Sequence, residues 1–464
     1  MSIHKIGRGD VVIFAKRALL ATGWAENVRF EIAEGRIRAI VLADKPEASD
    51  ISVDTLLPAL ANLHSHSFQR AMAGMTEYRA AAGKDSFWTW RELMYRFTGQ
   101  LTPEQIESIA GLVFMEMQEA GYASVGEFHY IHHQGDGTPY GDIGELSHRI
   151  CAAAAATGIG LTHLPVLYTY GGAGAVPLQA GQARFGNDVD QFLKLVERAE
   201  AGMANLPDDC LLGIAPHSLR ATSPEDLATV VANRREGPIH IHIAEQPREV
   251  EEIQNWLGAR PVEWLLANAD VDQNWCLIHA THMTEAETIN MAQSGAVAGL
   301  CPVTEANLGD GPFNGPGYIQ AGGAFGVGSD SNVLITLTEE LRTLEYSQRL
   351  RDLARNVMVV GEGSVGATLY QGAAAGGARA LARGRGEIAE GELADLIAID
   401  SNDPALCALA NEQLLDGLVF AAKDHVVTDL WSAGRHAVKD GRHVERDQLV
   451  TDYRKAMASL VASI

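Results

Sequence analysis

Two histidines separated by one serine, His64 and His66, end an apolar run in the segment LPALANLHSHSFQR. Side chains two positions apart on a strand point to the same side, so both imidazoles can reach one point. Neutral imidazoles are common ligands of Zn²⁺ and of neighbouring divalent ions. The spacing therefore predicts part of a metal site at the end of a strand.

Further side chains able to bind a metal or to move a proton follow later apolar runs. They are His217, His240, His242, Glu245, His279, His282 and Asp330. Three or four imidazole and carboxylate ligands with one water form a hydrolytic metal site. His240 and His242 face the same side of one predicted strand, and we favour His242 because it lies nearer the strand end. Asp330 alone would be a turn residue, but in this set it is the predicted carboxylate ligand.

Glu245 and His279 are predicted to act on protons. Glu245 follows His242 by three residues, at the mouth of the predicted site, where a carboxyl can serve as general acid or base. Its alternative role is a salt bridge to Arg248. His279 is the second catalytic candidate, and His282 is expected to lie at the periphery.

These residues need elements that bring several strand ends together. From residue 57 on, short apolar runs alternate with helical patterns, as in parallel strands joined by crossover helices. The predicted strand segments are LLPALANLH, ASVGEFHYI, GLTHLPVLY, LLGIAPHS, PIHIHIAE, WCLIHATH, AVAGLCPV and AFGVGSD. Helix starts are predicted at Thr102, Ser223 and Pro247. The alternation predicts an α/β fold, a (β/α)₈ barrel with its active site at the carboxyl ends of the strands.

The two ends of the chain differ from its middle. Strand-like runs broken by turn residues occur in VRFEIAEGRIRAIVL and again in GEIAEGELADLIAID and HVVTDLWSAGRHAVKDGRHV. Such runs favour β-structure, so both ends are predicted to pair into one small sheet domain. The predicted domains are residues 1–57 and 372–464 for this sheet domain, with a C-terminal helix, and 58–371 for the barrel.

Composition limits the partners of the protein. Its formal net charge is −23. A surface without a basic excess argues against nucleic acid and anionic membranes as partners, while an anionic small substrate would need local arginines. The five cysteines form no CxxC pair, which favours reduced thiols. With no export signal and no apolar run of membrane-spanning length, the protein is predicted to be cytoplasmic.

Several segments together resemble the amidohydrolase superfamily: LPALANLHSHSFQR, HIHIAEQ, LIHATH, CPVTEANLGDG, GVGSDSN and GEIAEGELADLIAID. Within it, HSHSFQRAMAGMTEYR, APHSLRA, HIHIAEQ and CPVTEANLGDG resemble the N-formimino-L-glutamate deiminases of histidine degradation. The resemblance implies a metal-bearing (β/α)₈ barrel with a small β-sandwich made from both chain ends. It also implies zinc-dependent hydrolysis of N-formimino-L-glutamate to N-formyl-L-glutamate and ammonia.

The matching positions imply a role for each site residue. The implied zinc ligands are His64, His66, His242 and Asp330. The implied catalytic residues are Glu245, His279 and Asp330. The implied substrate-binding residues are Gln69, Arg91, Tyr130, His217 and Arg220. In the expected reaction Asp330 accepts the proton of the attacking water and Glu245 protonates the nitrogen that leaves as ammonia.

Arg91 and Arg220 are the local cations that a dianionic substrate needs in so acidic a protein, since a guanidinium can hold a carboxylate through two parallel hydrogen bonds. Their alternative partners lie nearby in the sequence. Arg91 could stack on Trp88 or Trp90, and Arg220 could pair with Glu225.

The lysine content bears on the number of metals. Bridged two-metal barrels need a carboxylated lysine at a strand end, but between Asp85 and Ala422 the only lysine is Lys194, in a helical pattern. One zinc ion per chain is therefore expected, and a homodimer is the expected assembly. The rival functions are an aminohydrolase for a heterocycle such as guanine or a pterin, and a catalytically silent barrel.

Overall fold

The computed structural model describes residues 6–77, 86–233 and 237–462. Its strands are β1 (Val11–Leu20), β2 (Gly23–Ala33), β3 (Arg36–Leu42), β4 (Ile51–Pro58), β5 (Leu60–Ser65), β6 (Tyr122–His129), β7 (Gly160–Leu167), β8 (Leu211–Leu212), β9 (Ala215–Pro216), β10 (Ile239–Ile243), β11 (Trp275–His279), β12 (Val297–Leu300), β13 (Ala324–Val327), β14 (Leu396–Ile399), β15 (Val427–Ser432), β16 (Arg435–Lys439) and β17 (Arg442–His443).

Helices connect most of the central strands. The α-helices are α1 (Phe87–Thr98), α2 (Pro103–Ala120), α3 (Glu145–Thr157), α4 (Val189–Met203), α5 (Pro224–Ala232), α6 (Pro247–Leu257), α7 (Pro261–Asn268), α8 (Glu285–Ser294), α9 (Pro302–Leu308), α10 (Gly315–Gln320), α11 (Leu337–Asp352), α12 (Val365–Ala380), α13 (Glu412–Phe420) and α14 (Arg446–Val461). Short 3₁₀ helices span Ser67–Met72, Ala180–Phe185 and Asp424–Val426. None of the helices in the described ranges is long and apolar enough to cross a bilayer.

Strands from both ends of the chain form one mixed eight-stranded sheet, in the order β17-β16-β15-β14-β4-β1-β2-β3. Strand β1 pairs antiparallel with β2 and parallel with β4, and β4 pairs antiparallel with β14. The two ends of the chain are thus hydrogen-bonded to each other. The face of this sheet carries its own apolar cluster, which includes Ile13, Phe30 and Trp431.

The central strands form two parallel sheets. One has the order β5-β6-β7-β8 with β9 also on β7, and the other has the order β10-β11-β12-β13. Single parallel bridges join the two sheets at Ser65–Asp330, Ile214–Ile239 and Ser218–His242. Each predicted strand segment contains a strand, and the fourth is split into β8 and β9. The predicted α/β class is confirmed. Every residue of β6, β7, β10 and β11 is buried, as expected for parallel strands covered on both faces.

The predicted helix starts are confirmed, two of them with a side-chain cap. Thr102 Oγ1 accepts a hydrogen bond from Gln105 N at 3.2 Å, and Thr102 N donates to Gln105 Oε1 at 2.9 Å, so α2 begins with a reciprocal capping box. It ends at Gly121, whose φ of 108° suits glycine. Ser223 Oγ accepts from Asp226 N at 3.1 Å and so caps α5 without a reciprocal bond, and α6 begins at Pro247 with no side-chain cap.

A buried ion cluster ties the chain ends to the middle. Both carboxylate oxygens of Asp209 accept hydrogen bonds from Arg435, at 2.8 and 2.7 Å, and Arg383 donates to the same carboxylate at 3.0 Å. Arg8 also donates to Asp209. Burial raises the pKa of Asp209, but the three guanidinium groups hold it well below its usual range. We call these four residues the Asp209 cluster.

Candidate metal and catalytic site

The two histidines of the HxH segment lie where β5 ends. Their ring centroids are 4.6 Å apart, and both side chains are buried. His66 Nδ1 donates to the carbonyl oxygen of Phe128 at 2.8 Å, which leaves the Nε2 lone pair of His66 free. A carbonyl that accepts from one ring nitrogen and orients the other is the usual support of a metal-binding histidine.

His242 supplies a third imidazole at the end of β10. Its Nε2 lies 3.1 Å from His64 Nε2. His240, two residues earlier, lies deeper in the strand and donates from Nε2 to the carbonyl oxygen of Ala380 at 2.8 Å. The structure therefore brings His242 into the cluster and directs His240 toward the helix α12.

Asp330 completes the cluster from the loop after β13. Its Oδ1 lies 3.5 Å from His64 Nε2 and 3.3 Å from His66 Nε2. Its backbone is held on both sides, because its N donates to the carbonyl of His64 and its carbonyl accepts from His66 N, each at 2.9 Å. Asp330 has a φ of 48°, a left-handed conformation that persists in a non-glycine residue only where the surroundings enforce it.

The proton-handling candidates lie on the other side of Asp330. His279 Nε2 is 3.8 Å from Glu245 Oε1 and 3.8 Å from Asp330 Oδ2. The His279 ring stacks on His242, with centroids 5.5 Å apart and planes 8° apart. On its far side, His279 Nδ1 lies 3.2 Å from Oε1 of Glu305.

Glu245 is paired, but not with the partner that its sequence neighbourhood offers. Its Oε2 accepts from Arg220 Nη2 at 3.3 Å, while Arg248 pairs with Glu252 at 2.7 Å. Arg220 Nε also lies 3.7 Å from Glu249, so Glu225 is not its partner. The sequence left open the salt bridges Glu245–Arg248 and Arg220–Glu225. The structure has neither of them among its described residues, and Arg220 instead lies in one buried group with Glu245 and Glu249.

Burial dominates the acid–base properties of the site. It lowers the pKa of His64 to about 3, and it also lowers the pKa of His66 and His242, so these rings are neutral and able to bind a cation. It raises the pKa of Glu245, although His279 and Arg220 act in the opposite direction. A raised pKa favours the protonated form of a carboxyl, from which it can donate a proton.

The carboxylates have the reverse effect on His279. Burial lowers the pKa of His279, but the charges of Glu245 and Asp330 and the hydrogen bond to Glu305 raise it to about 10. Burial also raises the pKa of Asp330, but its contacts with His64, His66 and His279 hold it well below its usual range.

The predicted substrate-binding residues surround the same space. Gln69, in the short helix after β5, donates from Nε2 to Tyr130 Oη at 2.9 Å. The ring of His217 lies 4.9 Å from that of His242 and 4.5 Å from that of Tyr168. These polar groups therefore line the wall that faces the histidine cluster.

Arg91 reaches the pocket from α1. Its Nη2 donates to Tyr168 Oη at 2.7 Å. Its guanidinium carbon also lies 5.8 Å from the ring of Trp88 and 5.3 Å from that of Tyr95. Arg91 therefore contacts the ring of Trp88 and also lines the pocket.

One pocket collects almost the whole predicted set. Its lining residues are His66, Gln69, Phe87, Trp90, Arg91, Met94, Tyr130, His217, Arg220, His242, Glu245, His279, Leu308 and Asp330. His64 lies beneath the lining, in contact with Asp330. His282 does not line the pocket, in agreement with its predicted peripheral place, and Lys194 is exposed on α4, away from any strand end.

Sequence reasoning missed several residues around the pocket. Glu305 lies behind His279, Tyr168 and Gln182 hold Arg91 in place, and Glu249 shares Arg220 with Glu245. Glu305 lies five residues after the end of β12, in the first turn of α9, so a search of the segments that follow strand ends could have found it. Tyr168 follows β7 directly and carries the strand-end signal, whereas Gln182 carries none, because its place depends on how the loop that contains the short helix Ala180–Phe185 packs.

Three residue groups in the described part of the chain have ligand atoms close enough to hold a metal ion. They are His64, His66 and His242; His64, His279 and Asp330; and His279, Cys301 and Glu305. Ligands about 2.0–2.1 Å from a tetrahedral zinc ion lie about 3.3–3.4 Å from one another. The spacings of 3.1 Å between His64 and His242, and of 3.3 and 3.5 Å from Asp330 to His66 and His64, fit that geometry.

Comparisons with known proteins show the family of the chain. The model of the amidohydrolase family matches residues 55–437, and the model of the N-terminal domain of formimidoylglutamate deiminase HutF matches residues 10–51. The chain is 49% identical over 455 residues to the formimidoylglutamate deiminase of Pseudomonas aeruginosa, which covers 97% of this chain and 99% of that protein.

Solved structures extend the likeness to three dimensions. The crystal structure of an amidohydrolase from Brucella melitensis has a TM-score of 0.93 at 47% identity and covers 97% of this chain and 100% of that one. A zinc-bound adenosine deaminase from Xanthomonas campestris has a TM-score of 0.79 at 21% identity and covers 98% and 99% of the two chains, a likeness of fold alone. Since the family model spans most of the chain and the relatives match it nearly end to end, the chain belongs to the amidohydrolase family.

Proposed function

We propose that the protein is a formimidoylglutamate deiminase, which hydrolyses N-formimino-L-glutamate to N-formyl-L-glutamate and ammonia. The observation that carries the proposal is one pocket that joins a histidine–aspartate cluster, a buried glutamate and two arginines. The relative from Pseudomonas aeruginosa, named for this activity, supports it. The substrate carries two carboxylates, and a protein of net charge −23 needs local cations to bind them. The two arginines of the pocket can supply these cations.

The metal would be one zinc ion per chain, held by His64, His66, His242 and Asp330. The Nε2 and carboxylate spacings fit tetrahedral zinc, and burial keeps the three imidazoles neutral, the form that binds a cation. When bound, such a metal supplies Lewis-acid activation of the attacking water and of the substrate. The zinc found in the adenosine deaminase of the same fold is consistent with this choice.

The residues around the cluster divide the proton transfers between them. Asp330 Oδ1 faces His64 and His66, whereas Oδ2 faces His279. Oδ2 accepts the proton of the attacking water. His279 Nε2 lies between Asp330 and Glu245 and orients the water while stabilising the charge that develops at the formimidoyl carbon. Glu245, whose pKa is raised by burial, gives a proton to the nitrogen that leaves as ammonia.

The remaining pocket residues would hold the substrate. Arg91 and Arg220 bind its two carboxylates, and Gln69, Tyr130 and His217 complete the polar wall. Arg220 already contacts Glu245 Oε2, so substrate binding would draw it away from the catalytic acid and leave that acid more protonated. Binding of the substrate carboxylate to Arg220 would thus favour the protonated form of Glu245, from which Glu245 can donate a proton.

The architecture is proposed as the family barrel. The two parallel sheets, joined by bridges at Ser65–Asp330 and Ile214–Ile239, are the two halves of one (β/α)₈ barrel over residues 58–371. Residues 1–57 and 372–464 form the accessory β-sandwich domain, for which the eight-stranded sheet is the supporting observation. A homodimer and a cytoplasmic location remain predictions from the sequence.

Ammonia release from a panel of substrates tests the proposal. We expect the zinc-loaded protein to release ammonia from N-formimino-L-glutamate and to leave guanine and a pterin unchanged. Ammonia from a heterocycle alone would replace the proposed substrate by the rival class. Binding of one zinc ion per chain without ammonia from any compound would instead support a catalytically silent barrel.

A further inference from the structure

A buried carboxylate lies directly behind the catalytic histidine. Glu305 is in the first turn of α9 and is 5% exposed. Its Oε1 accepts from His279 Nδ1 at 3.2 Å and from Cys301 N at 2.9 Å. In the described part of the chain, no arginine or lysine lies within 4 Å of this carboxylate, and His279 is its only ion-pair partner. Glu305 lies outside the pocket lining, so contact with a substrate does not explain its burial.

The contacts of His279 show what such a carboxylate can do. One ring face packs on His242, Nδ1 meets Glu305, and Nε2 faces Glu245 and Asp330. A carboxylate can only accept at Nδ1, so it selects the ring orientation that keeps a hydrogen on Nδ1 and turns Nε2 toward the pocket. A ring without that acceptor can rotate or can carry its proton on the other nitrogen.

The backbone at His279 makes this support more important. His279 has a φ of 68° and Ala280 a φ of 47°, so two consecutive non-glycine residues are left-handed at the end of β11. Such a conformation is costly unless neighbouring contacts maintain it. Glu305 is fixed by its second bond, to the N-terminal backbone of its own helix, and can therefore serve as a rigid anchor.

We propose that Glu305 is a positioning residue for the deimination: through Nδ1 it holds the His279 ring so that Nε2 faces Glu245 and Asp330. The proposal rests on the proposed function, because it assigns a role relative to His279 in that reaction. Glu305 itself touches neither substrate nor metal. Its effect on the rate is transmitted by the orientation of one imidazole.

The variants Glu305→Ala and Glu305→Gln test this role, with Glu345→Ala as the matched control. Glu345 is also buried, and it accepts from Arg349 and from the backbone of Val357 and Met358, away from the pocket. We expect Glu305→Ala to lower kcat about 10–100-fold with little change in KM, the usual cost of losing such a support. Glu305→Gln, whose amide oxygen can still accept from Nδ1, should retain more of the rate. Glu345→Ala should lower thermal stability and leave kcat unchanged.

Two further measurements separate positioning from a merely structural or ligand role. In a His279→Ala background, Glu305→Ala should have no additional effect on kcat, because the residue it positions is gone. Elemental analysis should give the same metal content in all variants. An unchanged kcat in Glu305→Ala, equal losses with and without His279, or a second metal that disappears with Glu305 would each overturn the proposal.

Crystal structures of the metal-free wild type and Glu305→Ala provide a readout that does not depend on activity. We expect the His279 ring to rotate or shift in the variant while His64 and His242 keep their places. An unmoved ring would contradict the proposal. If the wild type fails to release ammonia from N-formimino-L-glutamate, the proposed function fails, while the ring comparison still decides whether Glu305 positions His279.

Discussion

The Asp209 cluster and the histidine cluster are both buried groups of ionisable side chains, but they are completed in opposite ways. Both carboxylate oxygens of Asp209 accept hydrogen bonds from guanidinium groups, and two of these bonds come from Arg435. Asp330, in contrast, has only imidazoles as ionisable partners among the described residues. Ligand atoms of His64, His66 and His242 lie within 4.8 Å of one another there, and Asp330 Oδ1 lies 3.5 Å from His64 and 3.3 Å from His66.

The difference separates a structural role from a chemical one. A buried ion pair whose hydrogen bonds are all made holds parts of the fold together and has no capacity left for a ligand. Imidazole and carboxylate lone pairs that face one another can bind a cation together. The pKa values of these groups are displaced by burial and by their contacts with one another. The same contrast predicts that mutations in the first region change stability and that mutations in the second change activity.

The largest expected effect is that of Asp330→Asn on turnover. This change removes a metal ligand and the proposed proton acceptor together, so kcat should fall by about 10⁴-fold, near the upper end for loss of an acid–base group. Thermal stability should change little, because Asp330 makes no ion pair with an arginine or lysine in the described ranges. Steady-state kinetics and elemental analysis measure the effect. Near-normal turnover would contradict the role assigned to Asp330.

Asp209→Asn should produce the opposite pattern. Removal of the shared carboxylate leaves Arg435 with an uncompensated buried charge, while Arg383 keeps its ion pair with Asp395, and breaking such a buried pair typically costs about 3–5 kcal/mol of unfolding free energy. Urea unfolding measures the loss, and kcat of the folded fraction at low temperature should match the wild type. A loss of kcat without a loss of stability would refute the division between the two regions.

Glu245→Gln should lower turnover by a smaller factor and leave the metal in place. The amide keeps the shape of the side chain but cannot transfer a proton, so we expect a loss of about 10²–10³-fold in kcat. Metal content per chain is the control, because Glu245 lies 3.8 Å from His279 and makes no contact with the three clustered histidines. If the metal were lost with the activity, Glu245 would be a ligand.

The smallest effect concerns the acid stability of the Asp209 cluster. The pKa of Asp209 is depressed in the folded state, so its contribution to stability is present above the unfolded value of about 3.9 and is lost as the pH falls below it. The difference in unfolding free energy between the wild type and Asp209→Asn should therefore be constant above about pH 5 and shrink below about pH 4. A difference that grows toward low pH would contradict the depressed pKa.

Much of the strand and helix pattern could be predicted from short-range information. Buried parallel strands read as apolar runs, the helix starts at Thr102 and Ser223 carry their own capping residues, and Pro247 is the first residue of α6. The shortest elements were harder to predict, because the fourth predicted strand is broken into β8 and β9, of two residues each. Whether this segment forms one strand or two depends on its hydrogen bonds with the neighbouring strands rather than on its own sequence.

By itself the sequence determined which side chains gather at the strand ends, because strand polarity and the two-residue period place His64 and His66 on one side wherever the strand lies. Only the tertiary structure decided which partner each side chain meets. His242 rather than His240 joins the cluster because the strand sits at a depth that directs His240 to Ala380. Contacts such as Glu305 with His279, or Arg435 with Asp209, join residues 26 and 226 positions apart, and only the packing of helices against strands brings such groups within hydrogen-bond distance.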